Sequence, residues 1–157
     1  MTDYKIRPIT EANCEDIWEV YNTNPDYFLT EKGRAAVKSD ILEVFSRLPD
    51  GYNTTKQCFV SLHQNGQLIA IFELLPHLNE EGTLCLSEII VHGGLHGQSF
   101  GTDIVQGVVQ AVTLADFREI QLGTTKSNAK VVSFWKRQGF VECSYDEDGV
   151  YFTRNLN

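Results

Sequence analysis

The chain has 157 residues, 42% of them hydrophobic and 22% charged, a balance that suits one globular domain with a substantial core and does not fit a disordered segment. No apolar run approaches the roughly 20 residues needed to cross a bilayer, so no membrane span is expected. Thirteen basic residues against 21 acidic ones leave a net charge of −8, which lacks the basic footprint of a nucleic-acid-binding protein and suits a cationic partner. Residues 1–8 alternate polar and apolar side chains without the blocks of a signal peptide, which points to a cytoplasmic protein. Cys14, Cys58, Cys85 and Cys143 form no Cys-x-x-Cys pair, so free thiols are expected rather than zinc or redox pairs.

In chain order, residues 4–9 read as a short strand whose Pro8 belongs at an edge or a strand end. Thr10 and Asn13 are capping candidates for a helix carrying Ile17, Trp18, Val20 and Tyr21. A second helix carries Val37, Ile41, Val44, Phe45 and Leu48 and stops at Pro49. The stretches NTNPDYFLTEKG (22–33) and PDGYNTTK (49–56) read as loops, and their aromatic residues Tyr27, Phe28 and Tyr52 are candidates to line a ligand entrance. Strands over 57–62 and 67–75 flank Asn65-Gly66, a dipeptide suited to a tight hairpin turn.

Residues 83–91, TLCLSEIIV, are apolar on both faces except at Ser87 and Glu88 and read as a central strand. The turn HGGLHGQSFG then leads into a helix on which Phe100, Ile104, Val108, Val112 and Ala115 fall one turn apart. Residues 119–124 form a strand, Asn128 caps a helix containing Val131, Val132 and Trp135, and Gly139 ends it. A final hairpin joins 140–145 to 150–156 through Asp148-Gly149. The order predicts one α/β domain over residues 1–157, with a mixed α+β sheet.

Gly93, Gly94, Gly97 and Gly101 permit close backbone approach between the central strand and the helix, so the turn reads either as a phosphate cradle or as a packing solution. The Gly-Lys-Ser/Thr of a P-loop and the ribose-binding carboxylate of a dinucleotide site are both missing. Within the central strand, a buried Glu88 has the chemistry of a general base, its pKa raised by burial; the alternative is a structural carboxylate or a substrate anchor. His92 and His96 lack a third ligand, so no metal is expected.

The segment LSEIIVHGGLHGQSFGTDIV (86–105) resembles the strand, pyrophosphate loop and helix of the GNAT superfamily of acyl-CoA-dependent N-acyltransferases. NAKVVSFWKRQGF (128–140) is similar to that superfamily's later motif, and the order of elements agrees along the chain. The resemblance implies a fold of six or seven strands with helices on both faces, splayed after Val91. It also implies acetyl-CoA or another acyl-CoA as co-substrate and a small amine as acceptor. Cofactor contacts would come from His96, Gly97, Gln98, Ser99, Phe100, Gly101 and Thr102 in the loop and helix start. The pantetheine arm would pair with backbone near Ile90 and Val91, and Asn128 would add a side-chain contact.

Two loop positions depart from the family pattern: His96 stands for Arg or Gln, and Ser99 for a glycine. Trp135, grouped with the cofactor contacts, stands where many relatives carry a tyrosine that protonates the leaving thiolate, which indole does not do. These departures motivate an alternative, an acyl-CoA sensor without turnover. The final hairpin offers an edge for a homodimer.

Overall fold

The computed structural model describes residues 4–46, 58–78, 80–96, 100–125 and 129–156. Twelve principal elements follow in chain order: β1 (Tyr4–Pro8), α1 (Glu15–Asn22), α2 (Pro25–Lys32), α3 (Ser39–Ser46), β2 (Cys58–Gln64), β3 (Gln67–Pro76), β4 (Thr83–Val91), α4 (Phe100–Leu114), β5 (Glu119–Thr125), α5 (Ala129–Arg137), β6 (Val141–Tyr145) and β7 (Gly149–Asn155). The strands form one mixed, seven-stranded sheet in the order β1-β2-β3-β4-β5-β7-β6. The chain divides into two compact units, residues 1–74 with 88–98, and residues 75–87 with 99–157.

In the first unit β1 lies antiparallel to β2 at the sheet edge, and Pro8 is its last residue, where a missing N–H costs the ladder little. β2 and β3 form the expected hairpin, with Asn65 at φ 51° and Gly66 at φ 83°, the positive angles of a type I′ turn. α1 buries Ile17, Val20 and Tyr21, a three- and four-residue spacing that keeps them on one face. They join Phe28, Ile41, Val44, Phe59, Ile71 and Ile90 in a single apolar cluster. Thr10 and Asn13 do not cap α1 directly. They close a 3-10 turn at Glu11–Asn13, in which the Asn13 side chain accepts from the Thr10 N–H and hydroxyl.

Residues 22–33 are not a loop throughout: Pro25–Lys32 form helix α2. The turn residues are its ends. Pro25 occupies the first turn, where its fixed φ suits a helix, and Gly33 closes the other end at φ 70°. Among the described residues three α-helices, rather than two, therefore precede β2. Residues 49–56, with Tyr52, lie outside the described residues.

In the second unit β5 runs parallel to Thr83–Cys85 of β4 and antiparallel to β7, which pairs with β6 in the expected hairpin. The helix α4 buries Ile104, Val105, Val109 and Val112, so burial sustains it despite Gly107 in its interior. α5 ends as expected at Gly139, φ 87°. The N–H groups of Gly139 and Phe140 donate to the carbonyls of Lys136 and Trp135 in a Schellman closure.

Candidate active site

Alternation along β4 decides where its carboxylate goes. Leu84, Leu86, Glu88 and Ile90 are the buried members of the strand's alternating positions, so Glu88 occupies a core-side place and is 8% exposed. A buried carboxylate requires donors, and the Tyr21 hydroxyl supplies one to Glu88 Oε1 at 2.8 Å. The Tyr21 ring is itself fixed, packed at 4.8 Å between centroids against Phe28. Tyr21, Tyr27, Phe28 and Glu88 line a cavity of about 180 Å³ whose remaining wall is charged: Glu31 and Lys32 from α2, Asp40 and Glu43 from α3.

The charges in this wall are unequal. Asp40, buried, takes a two-pronged bond from Arg34 (Nη1 to Oδ2 at 3.0 Å, Nη2 to Oδ1 at 2.7 Å) and a third from the Val37 N–H at 2.8 Å. The Arg34 bonds, followed by that of Val37, outweigh burial and hold the Asp40 carboxyl down at about 2. Lys32 Nζ lies 3.1 Å from Glu43 and 3.9 Å from Asp40. Among the described lining residues, four carboxylates thus face one ammonium, and Arg34 is committed to Asp40.

Where β4 ends, the backbone is held by the junction of α1 and α2, by β3 and by the turn itself. The Val91 carbonyl accepts from Asn24 Nδ2 at 3.1 Å and from His96 Nε2 at 3.2 Å, which engages both of its lone pairs. The His92 N–H donates to the Ile69 carbonyl, and the Gly93 N–H to the Thr23 hydroxyl at 2.9 Å. His92 Nδ1 accepts from the Gly94 N–H at 3.1 Å. The two histidines are thus each turned to the backbone. Among the described residues no group of three or more His, Cys, Asp or Glu side chains is disposed to hold a metal ion.

The glycines of the turn divide by what surrounds them. A Cβ on Gly93 would lie 1.7 Å from the Thr23 carbonyl oxygen, so packing alone demands glycine there. A Cβ on Gly101, in the first turn of α4, would meet only the Phe134 ring at 3.5 Å, an ordinary contact. Nothing in the described packing requires glycine at 101. The bare backbone there, in the first turn of a 15-residue helix whose leading amides have no intrahelical acceptor, fits a phosphate group. The Thr102 hydroxyl accepts from Gln138 Nε2 at 3.2 Å, a bond that uses an oxygen lone pair and leaves the hydroxyl proton to donate. Asp103 in the same turn opposes the anion with its own charge.

Of the residues expected to act together, Tyr27, Phe28 and Glu88 share one cavity, and Ile90 contributes its side chain to the adjoining apolar cluster. Trp135 is buried between Phe134 and Phe140, in edge contacts with centroids 5.1 and 5.2 Å away. Gly97, Gln98, Ser99 and Asn128 lie outside the described residues, as does Tyr52. Tyr21, Asn24, Glu31 and Asp40 were not singled out from sequence as site residues. Tyr21 carried only a helix-periodicity signal, and the others no signal beyond their polarity.

A model described as the acetyltransferase (GNAT) family matches residues 15–140. No curated protein matches the chain in sequence. Solved structures of the same fold include an acetyltransferase from Thermus thermophilus, 16% identical, with a TM-score of 0.82 over 97% of this chain and 96% of that one. An acetyltransferase of the GNAT family from Staphylococcus aureus Mu50, 16% identical, gives 0.70 over 99% and 100%. The PaiA N-acetyltransferase from Thermoplasma acidophilum, in complex with coenzyme A and 14% identical, gives 0.68 over 98% and 99%.

Proposed function

The chain belongs to the GNAT acetyltransferase family, and we propose that it transfers an acetyl group from acetyl-CoA to the primary amine of a small molecule, amino-acid derivative or peptide. The observation that carries this reading is the Glu88 carboxylate at the wall of a 180 Å³ cavity also lined by rings and carboxylates. Such a wall suits an amine that arrives as an ammonium ion.

In the proposed reaction Glu88 takes a proton from the bound ammonium, directly or through water, so that the neutral nitrogen becomes nucleophilic. The acyl carbon of acetyl-CoA is the electrophile. A C–N bond forms to that carbon, the C–S bond breaks, the sulfur leaves with the bonding electron pair, and the second proton of the acylated nitrogen passes to solvent or to the departing thiolate. Attack within one ternary complex needs no acyl-enzyme. A backbone N–H near Ile90 or Val91 is our candidate for steadying the oxyanion.

The pyrophosphate is assigned to the backbone from Gly97 to Thr102, with support from a Gly101 that its described packing, an ordinary contact with the Phe134 ring, does not require to be glycine. Pantetheine pairing at Val91 would use its N–H, since its carbonyl is already engaged by Asn24 and His96. Asn128 remains a proposed side-chain contact. Trp135, packed between two phenylalanines, is read as a structural residue. That reading leaves the leaving thiolate without an assigned acid and keeps the sensor as the alternative.

Calorimetric titration with acetyl-CoA and CoA tests the cofactor, and Gly101→Glu, which places a carboxylate against the phosphates, is the control. Saturable binding lost in the variant supports the site. Absence of wild-type binding overturns the acyltransferase reading. Binding without transfer across a panel of amines selects the sensor.

A further inference from the structure

Glu88 has a partner that comes from a different part of the chain, and its chemistry determines which form of the carboxyl is favoured. Tyr21 donates its hydroxyl proton to Glu88 Oε1 at 2.8 Å, from a ring that is 3% exposed and packed tilted on Phe28. Phe28 is 2% exposed in the core of the first unit, so the Tyr21 ring cannot swing away without disturbing that core. The cavity that Glu88 lines also has Tyr21 on its wall. The bond is therefore buried, oriented and adjacent to the proposed reacting space.

We propose that Tyr21 is a positioning residue for Glu88: its hydroxyl fixes one carboxylate oxygen, favours the ionised form and holds the carboxylate in one orientation at the cavity wall. The proposal deepens the reading of Glu88 as general base and rests on it for its catalytic meaning. Its physical core does not. A donor to a carboxylate lowers the free energy of the charged form, whereas burial raises it. Removing the donor at Oε1 takes away one contact that favours the charged form and so shifts Glu88 toward its neutral form, in which it accepts no proton.

Other charged groups face the same space. They are Glu31 and Lys32 from α2 and Asp40 and Glu43 from α3, with the Tyr27 phenol beside them. On the neighbouring strand β3, Glu73 is buried as well. The surrounding carboxylates outnumber the cations and oppose ionisation of Glu88, so the Tyr21 donor has a field to work against.

The test is Tyr21→Phe, which keeps the ring on Phe28 and removes only the hydroxyl. The Glu88 carboxyl is followed by carbon NMR on glutamate-labelled protein, its signal identified by its loss in Glu88→Gln. Acetyl transfer is followed in parallel across pH. The expected result is a Glu88 midpoint at higher pH in Tyr21→Phe, with the acidic limb of kcat/KM moving in the same direction. At neutral pH, kcat/KM should fall roughly tenfold, as loss of a hydrogen bond to a charged group implies. The KM for acetyl-CoA and the melting temperature should stay near those of the wild type. A Glu88 midpoint that is unchanged or lower overturns the proposal. A midpoint that rises, while Glu88→Gln transfers acetyl at the wild-type rate, supports the positioning and removes only the role of Glu88 as base.

Discussion

Gly93 donates its N–H to the Thr23 hydroxyl at 2.9 Å, and a Cβ at Gly93 would fall 1.7 Å from the Thr23 carbonyl oxygen. The exit of β4 thus passes directly against the end of α1, with backbone on both sides and no flexible side chain to move aside. Gly93→Ala should therefore destabilise by about 3 kcal/mol, the upper part of the usual overpacking range. Gly94 is the internal comparison. A Cβ there would meet only the His92 ring at 3.3 Å, and Gly94→Ala should cost less than about 1 kcal/mol. Urea unfolding of both variants measures the difference, and equal midpoints would contradict the packing argument.

Asp40 gives the fold an acid-sensitive clasp. Its carboxyl is held near 2 in the folded chain, first by Arg34 and then by the Val37 N–H, whereas an unfolded aspartate titrates near the ordinary value of about 3.9. A depressed folded value means that the stabilisation is complete above the unfolded value and is lost as pH falls from there toward 2. Asp40→Asn removes the charge but keeps the shape, and should lower stability at neutral pH by on the order of 1–3 kcal/mol. The gap between variant and wild type should close as pH falls through that window. Thermal melts at neutral pH and near pH 2.5 check both statements, and a gap independent of pH would refute the assignment to Asp40.

These two contacts also show where sequence reading ends. Asn65-Gly66 announced its turn because the positive angles depend on those two residues alone, and Pro8 and Gly139 marked element ends for equally local reasons. Glu88 stood out as an ionisable residue in an apolar strand. The glycines after β4 were legible only as permission for close approach. What approaches Gly93 is Thr23, seventy residues away, and nothing local distinguishes that use from Gly101, where a Cβ would make only an ordinary contact with the Phe134 ring. Tyr21 likewise met its partner across sixty-seven residues, after its spacing had presented it as one more apolar helix position. The segment 22–33 misled in the opposite way, because Pro25 and Gly33 are turn formers that here bound a helix.

The charged wall of the cavity makes the last prediction one of selectivity. Glu31 is exposed on α2 at the wall where Lys32 lies beside Glu43 and Asp40 and Arg34 is bound to Asp40. An exposed carboxylate acts on a cationic acceptor mainly by attraction through solvent, which raises occupancy without taking part in bond making. Glu31→Gln should accordingly raise KM for a cationic amine about two- to fivefold, leave kcat nearly constant, and lose its effect as ionic strength shortens the range of the charge. An uncharged acceptor of similar size should show no such change. Initial rates for a charged and a neutral amine at low and high salt make the comparison. A fall in kcat that salt leaves untouched would move Glu31 from attracting the acceptor to orienting it.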